Sequence, residues 1–228
     1  MQRPIVLSAF LAALAAVPPL ITAPAAAQQT TSVRLPEPRR DGRMSLEAAL
    51  WARRSVRAFT RDSLALADVA QLLWAAQGAN RPDGHRTAPS AGATYPLEVL
   101  VLPARVRGLA AGTYRYRGGG HTLELAHPGD QVPAFLASGA RGAWLADAAA
   151  FLVITGVGER TSRRYGERAE RYVAIEVGHA AGNVALQAAT LGLGTTFVGS
   201  FSDSAVARIL ALPVGERAYA VLPIGRPR

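Results

Sequence analysis

A stretch of small and apolar residues in the second half of the chain is the strongest constraint on its fold. Residues 162–194 read SRRYGERAERYVAIEVGHAAGNVALQAATLGLG and predict one long helix that Gly192 and Gly194 end. Beyond residue 171 this helix is apolar on nearly every face and rich in Ala and Gly. That composition predicts burial on most sides and the close approach of a neighbouring helix.

Four polar residues interrupt the apolar pattern of this helix and lie on one stripe: Glu176, His179, Asn183 and Gln187. His179 is a candidate catalytic base or metal ligand. No set of neighbouring His, Asp or Glu residues accompanies it, and this absence favours the other interpretation, a hydrogen-bonded core or interface residue. We therefore predict no metal site.

The rest of the chain mixes strands and helices without regular βαβ repeats. Helices are predicted after the N-cap Ser45 and before Gly78, and the glycine triplet 118–120 is interpreted as a hairpin turn rather than a phosphate loop. The pattern indicates an α+β domain. Besides the long helix, helices are predicted over residues 45–54, 66–78 and 202–210. Strands are predicted over residues 97–102, 112–117, 121–125, 148–156, 194–201 and 218–225.

Composition excludes several kinds of chemistry. The formal net charge is +9, all 25 basic residues are Arg, and neither Lys nor Cys occurs. The chain therefore has no Lys for a Schiff base and no Cys for disulfides, thiolate ligands or nucleophilic catalysis. Because the arginines are scattered and no nucleic-acid-binding motif accompanies them, we predict no nucleic-acid partner.

The amino terminus has the pattern of an export signal. Arg3 precedes a long apolar run that ends at Ala25–Ala27, which predicts a signal peptide over residues 1–27 and a periplasmic or secreted protein. An uncleaved membrane anchor is the alternative, although three prolines interrupt the run. We predict no stable membrane insertion after cleavage, a flexible leader over residues 28–43, and one folded domain over residues 44–228.

Basic residues cluster where the first helix ends, in the sequence RRSVRAF. Arg53, Arg54, Ser55 and Arg57 place three guanidinium groups and a hydroxyl within five residues. The helix dipole explains one or two cations at a helix carboxyl terminus, but not three. The cluster therefore indicates an anion site, and a phosphate monoester matches guanidinium in both charge and geometry.

Residues without bulk precede the buried strand that begins at Leu97. The stretch TAPSAGATYPLEVLV, residues 87–101, has Ser, Ala and Gly where the chain approaches that strand. One interpretation is a tight turn, and the other is that a flat ligand lies against the backbone there.

Five motifs in a common order resemble the flavin-dependent nitroreductase superfamily, specifically its SagB-like, thiazole/oxazole-dehydrogenase-like branch. The resemblance covers residue 44 to the end of the chain, and it implies an intertwined α+β homodimer with a central mixed sheet flanked by helices. It also implies FMN in each of two clefts between the subunits. The motifs are RRSVRAF, LLWAAQGANRPDGHRTAPSAGATYPLEVLV, GTYRY, IEVGHAAGNVALQAATLGLGTTFVGSF and LPIGRPR.

The resemblance also implies roles for individual residues. The Arg cluster would hold the phosphate, ribityl chain and pyrimidine edge of FMN, and one of the two carboxyl-terminal arginines would return to the phosphate. The partner subunit would supply the small residues that line the flavin, and the residues near 199 would border the isoalloxazine. The implied FMN-binding residues are Arg53, Arg54, Ser55, Arg57, Pro89, Ser90, Ala91, Val198, Gly199, Ser200, Arg226 and Arg228.

The activity implied is hydride transfer through flavin N5 to a small organic acceptor such as a nitroaromatic or a quinone, with NAD(P)H as a candidate electron donor. The alternatives are a noncatalytic secreted binding protein on the same fold and an azoline-type dehydrogenase. Azoline dehydrogenases of this branch pair a Lys with a Tyr beside the flavin, and this chain has no Lys. Tyr95, Tyr165 and Tyr172 are interpreted as packing or interface residues, and no side chain is assigned a catalytic role.

Overall fold

The structure, a computed structural model, describes residues 32–139 and 142–228. The predicted signal peptide, residues 1–27, lies outside the described residues, as do residues 28–31 of the predicted leader. Among the helices in the described ranges, none has the length and apolar character needed to cross a lipid bilayer.

Nine strands occur in residues 32–139 and 142–228. They are β1 (Ser32–Arg34), β2 (Leu64–Ala65), β3 (Leu97–Pro103), β4 (Val106–Arg107), β5 (Gly112–Arg117), β6 (Thr122–Pro128), β7 (Ala150–Val157), β8 (Gly194–Thr195) and β9 (Glu216–Gly225). Seven of them make one sheet in the order β1-β6-β5-β3-β7-β9-β8 through antiparallel ladders. Parallel pairing occurs between β2 and β4 and at the bridge from Ser55 to Thr195 beside β8, so the architecture is mixed, as predicted.

Helices cover both faces of the sheet. They are α1 (Leu46–Ala52), α2 (Leu66–Gln77), α3 (Val132–Ala134), α4 (Gly158–Tyr165), α5 (Ala169–Thr190) and α6 (Asp203–Ile209). Side chains of β3 alternate between the faces because successive residues of a strand point in opposite directions. Val99 and Val101 pack in the core that contains α2 and α5, whereas Leu100 and Leu102 pack in the core that contains α6. The predicted α+β class is confirmed.

Local signals in the sequence place several element ends correctly. The Ser45 hydroxyl accepts a hydrogen bond from the Ala48 N–H at 3.2 Å, so the predicted N-cap of α1 is confirmed. Gly78 ends α2, and its N–H donates to the Trp74 carbonyl at 2.8 Å. The triplet 118–120 forms the turn between β5 and β6, as predicted.

The single long helix predicted over residues 162–194 is wrong. Gly166 has a φ of 54°, a left-handed conformation that interrupts the helix, so α4 ends at Tyr165 and α5 begins at Ala169. The expected burial on most faces is also wrong within one chain. One face of α5 is exposed, and its members are Arg171, Ala174, Ile175, Gly178, His179 and Gly182.

The flexible leader predicted over residues 28–43 is wrong for its central part. Strand β1 pairs with β6 at the edge of the sheet, and Leu35 is buried in the core. The backbone N–H of Arg39 donates to Gln71 Oε1 at 2.8 Å, and Gln71 Nε2 donates back to the Arg39 carbonyl at 3.0 Å. A three-residue strand is too short to show a periodicity, and here it forms because a neighbouring strand and a buried Leu hold it.

Candidate functional site

The segment that follows α1 crosses the edge of the sheet formed by β8 and β9. The Val56 N–H donates to the Thr195 carbonyl at 3.0 Å, and the Thr60 N–H donates to the Arg226 carbonyl at 2.9 Å. These backbone bonds place residues 53–60 against both the start of GTTFVGSF and the carboxyl terminus. Three of the predicted site segments therefore meet within one chain.

Two glycines make this crossing possible. A Cβ at Gly194 would lie 2.6 Å from the Val56 side chain, and a Cβ at Gly225 would lie 2.8 Å from the Phe59 ring. Both distances are shorter than carbon atoms tolerate, so glycine is required where the segment passes. Phe59 is fully buried and Val56 is half-buried, which anchors the segment and leaves the other residues of 53–57 exposed.

The five predicted arginines fall into two groups. Arg54 Nη1 donates to the Trp51 carbonyl at the end of α1 at 3.0 Å, which stabilises the helix terminus. Arg228 Nη2 pairs with Asp147 Oδ2 at 2.8 Å. Of these five, the other three make no ion pair and no side-chain hydrogen bond with any described residue, namely Arg53, Arg57 and Arg226.

Unpaired guanidinium groups on adjacent segments suit an anion. Like charges held close together repel one another, and a phosphate monoester offers two negative charges and several acceptor oxygens that match guanidinium donors. Ser55 is exposed beside Arg53 and adds a hydroxyl donor. The residues present therefore fit the phosphate of a flavin nucleotide.

The segment after β8 presents small, exposed residues next to these cations. Val198 pairs with Val221 through two backbone hydrogen bonds of 2.9 Å, which fixes the segment against β9. Gly199 and Ser200 are exposed, and Phe197 is 51% exposed. A Cβ at Gly199 would meet the Phe197 ring at 3.4 Å, so the backbone here offers a flat and lightly covered surface.

Pro89–Ala91 lie apart from the arginines within one chain. The Ala91 N–H donates to Glu176 Oε1 at 2.8 Å, and Asn183 Nδ2 donates to the Thr87 carbonyl at 3.3 Å. Glu176 precedes the end of α5 at Thr190 by 14 helical positions, which corresponds to about 21 Å along the axis. The structure does not bring the small residues and the Arg cluster into one site in a single chain.

The stretch around Gly92 is a tight turn, as one of the two interpretations predicted. Ala91–Ala93 form one turn of 3-10 helix, and Gly92, Ala93 and Tyr95 have φ values of 57°, 53° and 44°. A Cβ at Gly92 would lie 2.5 Å from the Tyr165 hydroxyl. Packing within the chain thus explains Gly92, and contact of the turn with a flat ring stays a prediction.

Sequence reasoning gave Glu176 no role, although it anchors this turn. Its side chain is 3% exposed, and burial raises the pKa of its carboxyl group, while hydrogen bonds from the Ala91 N–H and the Ser90 hydroxyl oppose that shift. The sequence contained one signal for this role, because Glu176 is a lone carboxylate inside an apolar stretch of helix. A carboxylate that is buried in such a stretch is seldom without a partner.

His179 points away from the core. It is exposed on α5, so the interpretation as a core residue is wrong for a single chain, and the interface interpretation stays a prediction. Among residues 32–139 and 142–228, no group of three His, Asp or Glu side chains could hold a metal ion.

The clearest cavity of one chain does not coincide with the predicted site. It has a volume of about 320 Å³, lies between α1, α2 and α5, and contains no predicted site residue in its lining. Most of the predicted residues are instead exposed or half-buried at the surface, whereas Val198 is buried.

The sequence and the fold match known proteins over most of the chain. Residues 50–226 match the model of the nitroreductase family. A protein of Methanocaldococcus jannaschii, provisionally named a nitroreductase, is 39% identical over 183 residues, covering 80% of this chain and 91% of the relative. A crystal structure from Ralstonia eutropha, also provisionally named a nitroreductase, superimposes with a TM-score of 0.74 at 32% identity, covering 86% of this chain and 90% of that one.

A component of a biosynthetic complex also has this fold. A chain of the E. coli microcin synthetase complex, solved with a truncated precursor bound, superimposes with a TM-score of 0.67 at 25% identity. The alignment covers 75% of this chain and 67% of that one. The extent of these matches shows that this chain belongs to the nitroreductase family of oxidoreductases.

Proposed function

We propose that this protein is an exported, FMN-dependent oxidoreductase that acts as a homodimer on a small organic acceptor such as a nitroaromatic or a quinone. The observation that carries the proposal is that Arg53, Arg57 and Arg226 lie on two segments joined by a backbone hydrogen bond and have no ion-pair partner among the described residues. Proteins of this family generally use FMN with NAD(P)H as donor. When bound, FMN supplies hydride transfer between the donor and the acceptor.

Each part of the site has a separate task. Arg53, Arg57 and Arg226 would bind the phosphate, with the Ser55 hydroxyl as a further donor. The backbone of residues 198–200 would border the flavin ring. Arg54 and Arg228, which the resemblance also assigns to FMN, already bind the Trp51 carbonyl and Asp147, so we expect smaller contributions from them.

The separation of the two parts of the site supports a dimer. The turn at 89–91 lies about 21 Å along α5 from the end that adjoins the Arg cluster, so a second subunit would supply it. The exposed apolar residues Leu46, Leu50 and Trp51 of α1, together with the exposed face of α5, provide the surface for that contact.

Export and electron supply belong to the same proposal. The signal peptide pattern over residues 1–27 favours passage through a membrane as an unfolded chain. FMN would then be acquired after export, where reduced nicotinamides are scarce. A donor other than NAD(P)H is consistent with that compartment.

We assign the protein to the SagB-like branch of the family on its motifs and on its similarity to the microcin synthetase chain. A dehydrogenation that needs a Lys–Tyr pair is disfavoured because the chain has no Lys. This leaves reduction of an acceptor on an open flavin face as the better-supported activity.

Titration of the purified protein, residues 28–228, with FMN tests the cofactor. We expect saturable binding and a flavin absorbance spectrum that changes on binding. A protein that acquires no flavin absorbance after incubation and desalting would refute the proposal. Bleaching of the bound flavin by dithionite, but by neither NADH nor NADPH, would refute only the nicotinamide donor.

Mixing two variants tests whether each site is shared between subunits. Arg53→Ala with Arg57→Ala removes the phosphate contacts, and Ala91→Trp fills the opposite wall. If the site is shared, random subunit exchange restores FMN binding to about a quarter of the wild-type sites. If all the residues act within one chain, mixing restores nothing, and the dimer proposal fails.

A further inference from the structure

Two side chains hold the turn at Ser90 and Ala91 within one chain. The Tyr95 N–H donates to Ser90 Oγ at 2.9 Å, which links residues 90 and 95 across the turn. The carboxylate of Glu176, on α5, also lies against the turn.

The same carboxylate holds the next residue of the turn. Glu176 Oε1 accepts the Ala91 N–H at 2.8 Å, and the side chain is 3% exposed. Glu176 therefore fixes Ala91 from beneath the turn. Loss of the carboxylate would leave the Ala91 N–H without its acceptor.

The backbone conformation of the turn needs this support. Ala93 and Tyr95 have left-handed φ values of 53° and 44°, which residues with a Cβ seldom adopt. Side chains of α4 hold the far side of the turn, where Arg164 Nη1 donates to the Gly92 carbonyl at 3.1 Å and Arg160 Nη1 donates to the Tyr95 carbonyl at 3.0 Å. Glu176 supplies the matching support on the near side.

We propose that Glu176 is a positioning residue that sets the Ser90–Ala91 backbone as one wall of the cofactor site. This inference rests on the proposed function. Glu176 lies beneath the turn and is almost completely buried, so it does not reach the reacting atoms and acts only through the turn.

Hydrogen exchange tests the positioning step without any cofactor. In Glu176→Ala, we expect the Ala91 and Tyr95 amides to exchange at least about tenfold faster than in the wild type. Glu176→Gln keeps an oxygen that accepts the Ala91 N–H, so exchange should stay within about threefold of the wild type. Glu170→Ala, an exposed carboxylate on the same helix, is the matched control and should leave both amides unchanged.

FMN titration of the same variants tests the consequence for the site. We expect Glu176→Ala to weaken FMN binding about tenfold, with substantial rescue in Glu176→Gln.

The two measurements separate the possible failures. Unchanged amide exchange in Glu176→Ala would overturn the positioning role whether or not FMN binds. Faster exchange with an unchanged FMN dissociation constant would overturn the assignment of this turn to the cofactor site. Absence of FMN binding in the wild type would refute the proposed function, and the exchange data alone would then decide the role of Glu176 in the turn.

Discussion

Arg115 and Arg53 carry the same charge, but their surroundings differ. Arg115 is buried on β5, where its two terminal nitrogens bind the two carboxylate oxygens of Glu216 at 3.0 and 2.9 Å. Glu98 adds a second carboxylate at 3.3 Å. Arg53 is exposed after α1, and no carboxylate in the described part of the chain pairs with it.

The difference shows how one residue type serves both the fold and a ligand. The charge of Arg115 is neutralised by the protein, so its interactions are already made in the free chain and contribute to folding. The charge of Arg53 would be neutralised only by a bound anion, so its interaction would contribute to binding and not to folding. Each prediction below tests this distinction.

The largest effect is expected in the buried group. Glu216→Ala leaves the Arg115 guanidinium buried without its bidentate partner and removes the acceptor of the Thr155 hydroxyl. We expect the free energy of unfolding to fall by about 3 kcal/mol, at the lower end of the cost of breaking a buried ion pair, because Glu98 still pairs with the guanidinium. Urea unfolding followed by circular dichroism measures the change.

Glu159→Ala serves as the comparison because it removes a carboxylate from an exposed ion pair on α4. A loss in Glu216→Ala no larger than the loss in Glu159→Ala would contradict the view that the buried pair stabilises the fold. Binding of FMN by the fraction of Glu216→Ala that remains folded should be normal.

The second effect is expected in binding. Arg53→Ala should weaken FMN binding by at least about tenfold, since a charge-assisted hydrogen bond contributes roughly 1.5–3 kcal/mol. The free energy of unfolding should change by no more than about 0.5 kcal/mol, because the side chain is exposed and makes no hydrogen bond or ion pair with another described residue. Titration at several salt concentrations should show a weaker salt dependence in the variant than in the wild type.

Arg217→Ala is a matched control. Arg217 is exposed, and its ion-pair partner, the Glu170 carboxylate, lies 3.6 Å away. FMN should bind this variant like the wild type. An Arg53→Ala variant that binds FMN normally would mean that the phosphate site lies elsewhere.

The sequence alone was sufficient for features with a local cause. The cap at Ser45, the end of α2 at Gly78 and the turn at 118–120 each depend on a few adjacent residues, and each was predicted correctly. The glycines at 194 and 225 were part of the motifs, although their cause, the crossing of residues 53–60, depends on tertiary packing.

The sequence could not separate paired from unpaired arginines, because their partners come from distant segments. Arg228 pairs with Asp147, and Arg115 pairs with Glu216 across 101 residues of chain. Local periodicity contains no information about such contacts. For the same reason the resemblance assigned all five candidate arginines to FMN alike, whereas the structure leaves three of them without a partner in the described ranges.

Glu176 provides a second contrast with Glu216, because it is a buried carboxylate with no guanidinium partner among the described residues. Burial raises its pKa above 4.5, so the folded state binds the proton more tightly than the unfolded state. The stability of the wild type should therefore fall as pH rises from about 4.5 through the folded pKa. Glu176→Gln lacks this titration, so the stability of the wild type relative to the variant should decline over that range.

Urea unfolding of both proteins at a series of pH values between about 4.5 and 7 measures this difference. The charge of His179, which is exposed on the same helix, lowers the pKa of the Glu176 carboxyl and so reduces the effect of burial. Parallel profiles for the wild type and Glu176→Gln would contradict the prediction.

The smallest effect is expected where both charges are already in water. Arg163 Nη2 binds Glu159 Oε1 at 2.8 Å on α4, and both side chains are largely exposed. The hydrogen bond from Arg163 lowers the pKa of the Glu159 carboxyl, so any stabilisation is present above the unfolded pKa and is lost as pH falls through the folded pKa. Because water and salt screen this pair, Glu159→Ala should change the unfolding curve only slightly at low salt, and not at all at about 1 M salt. A loss of unfolding free energy that persists at high salt would contradict this view. It would mean that an exposed ion pair such as Arg163–Glu159 stabilises the fold as the buried pair of Arg115 does.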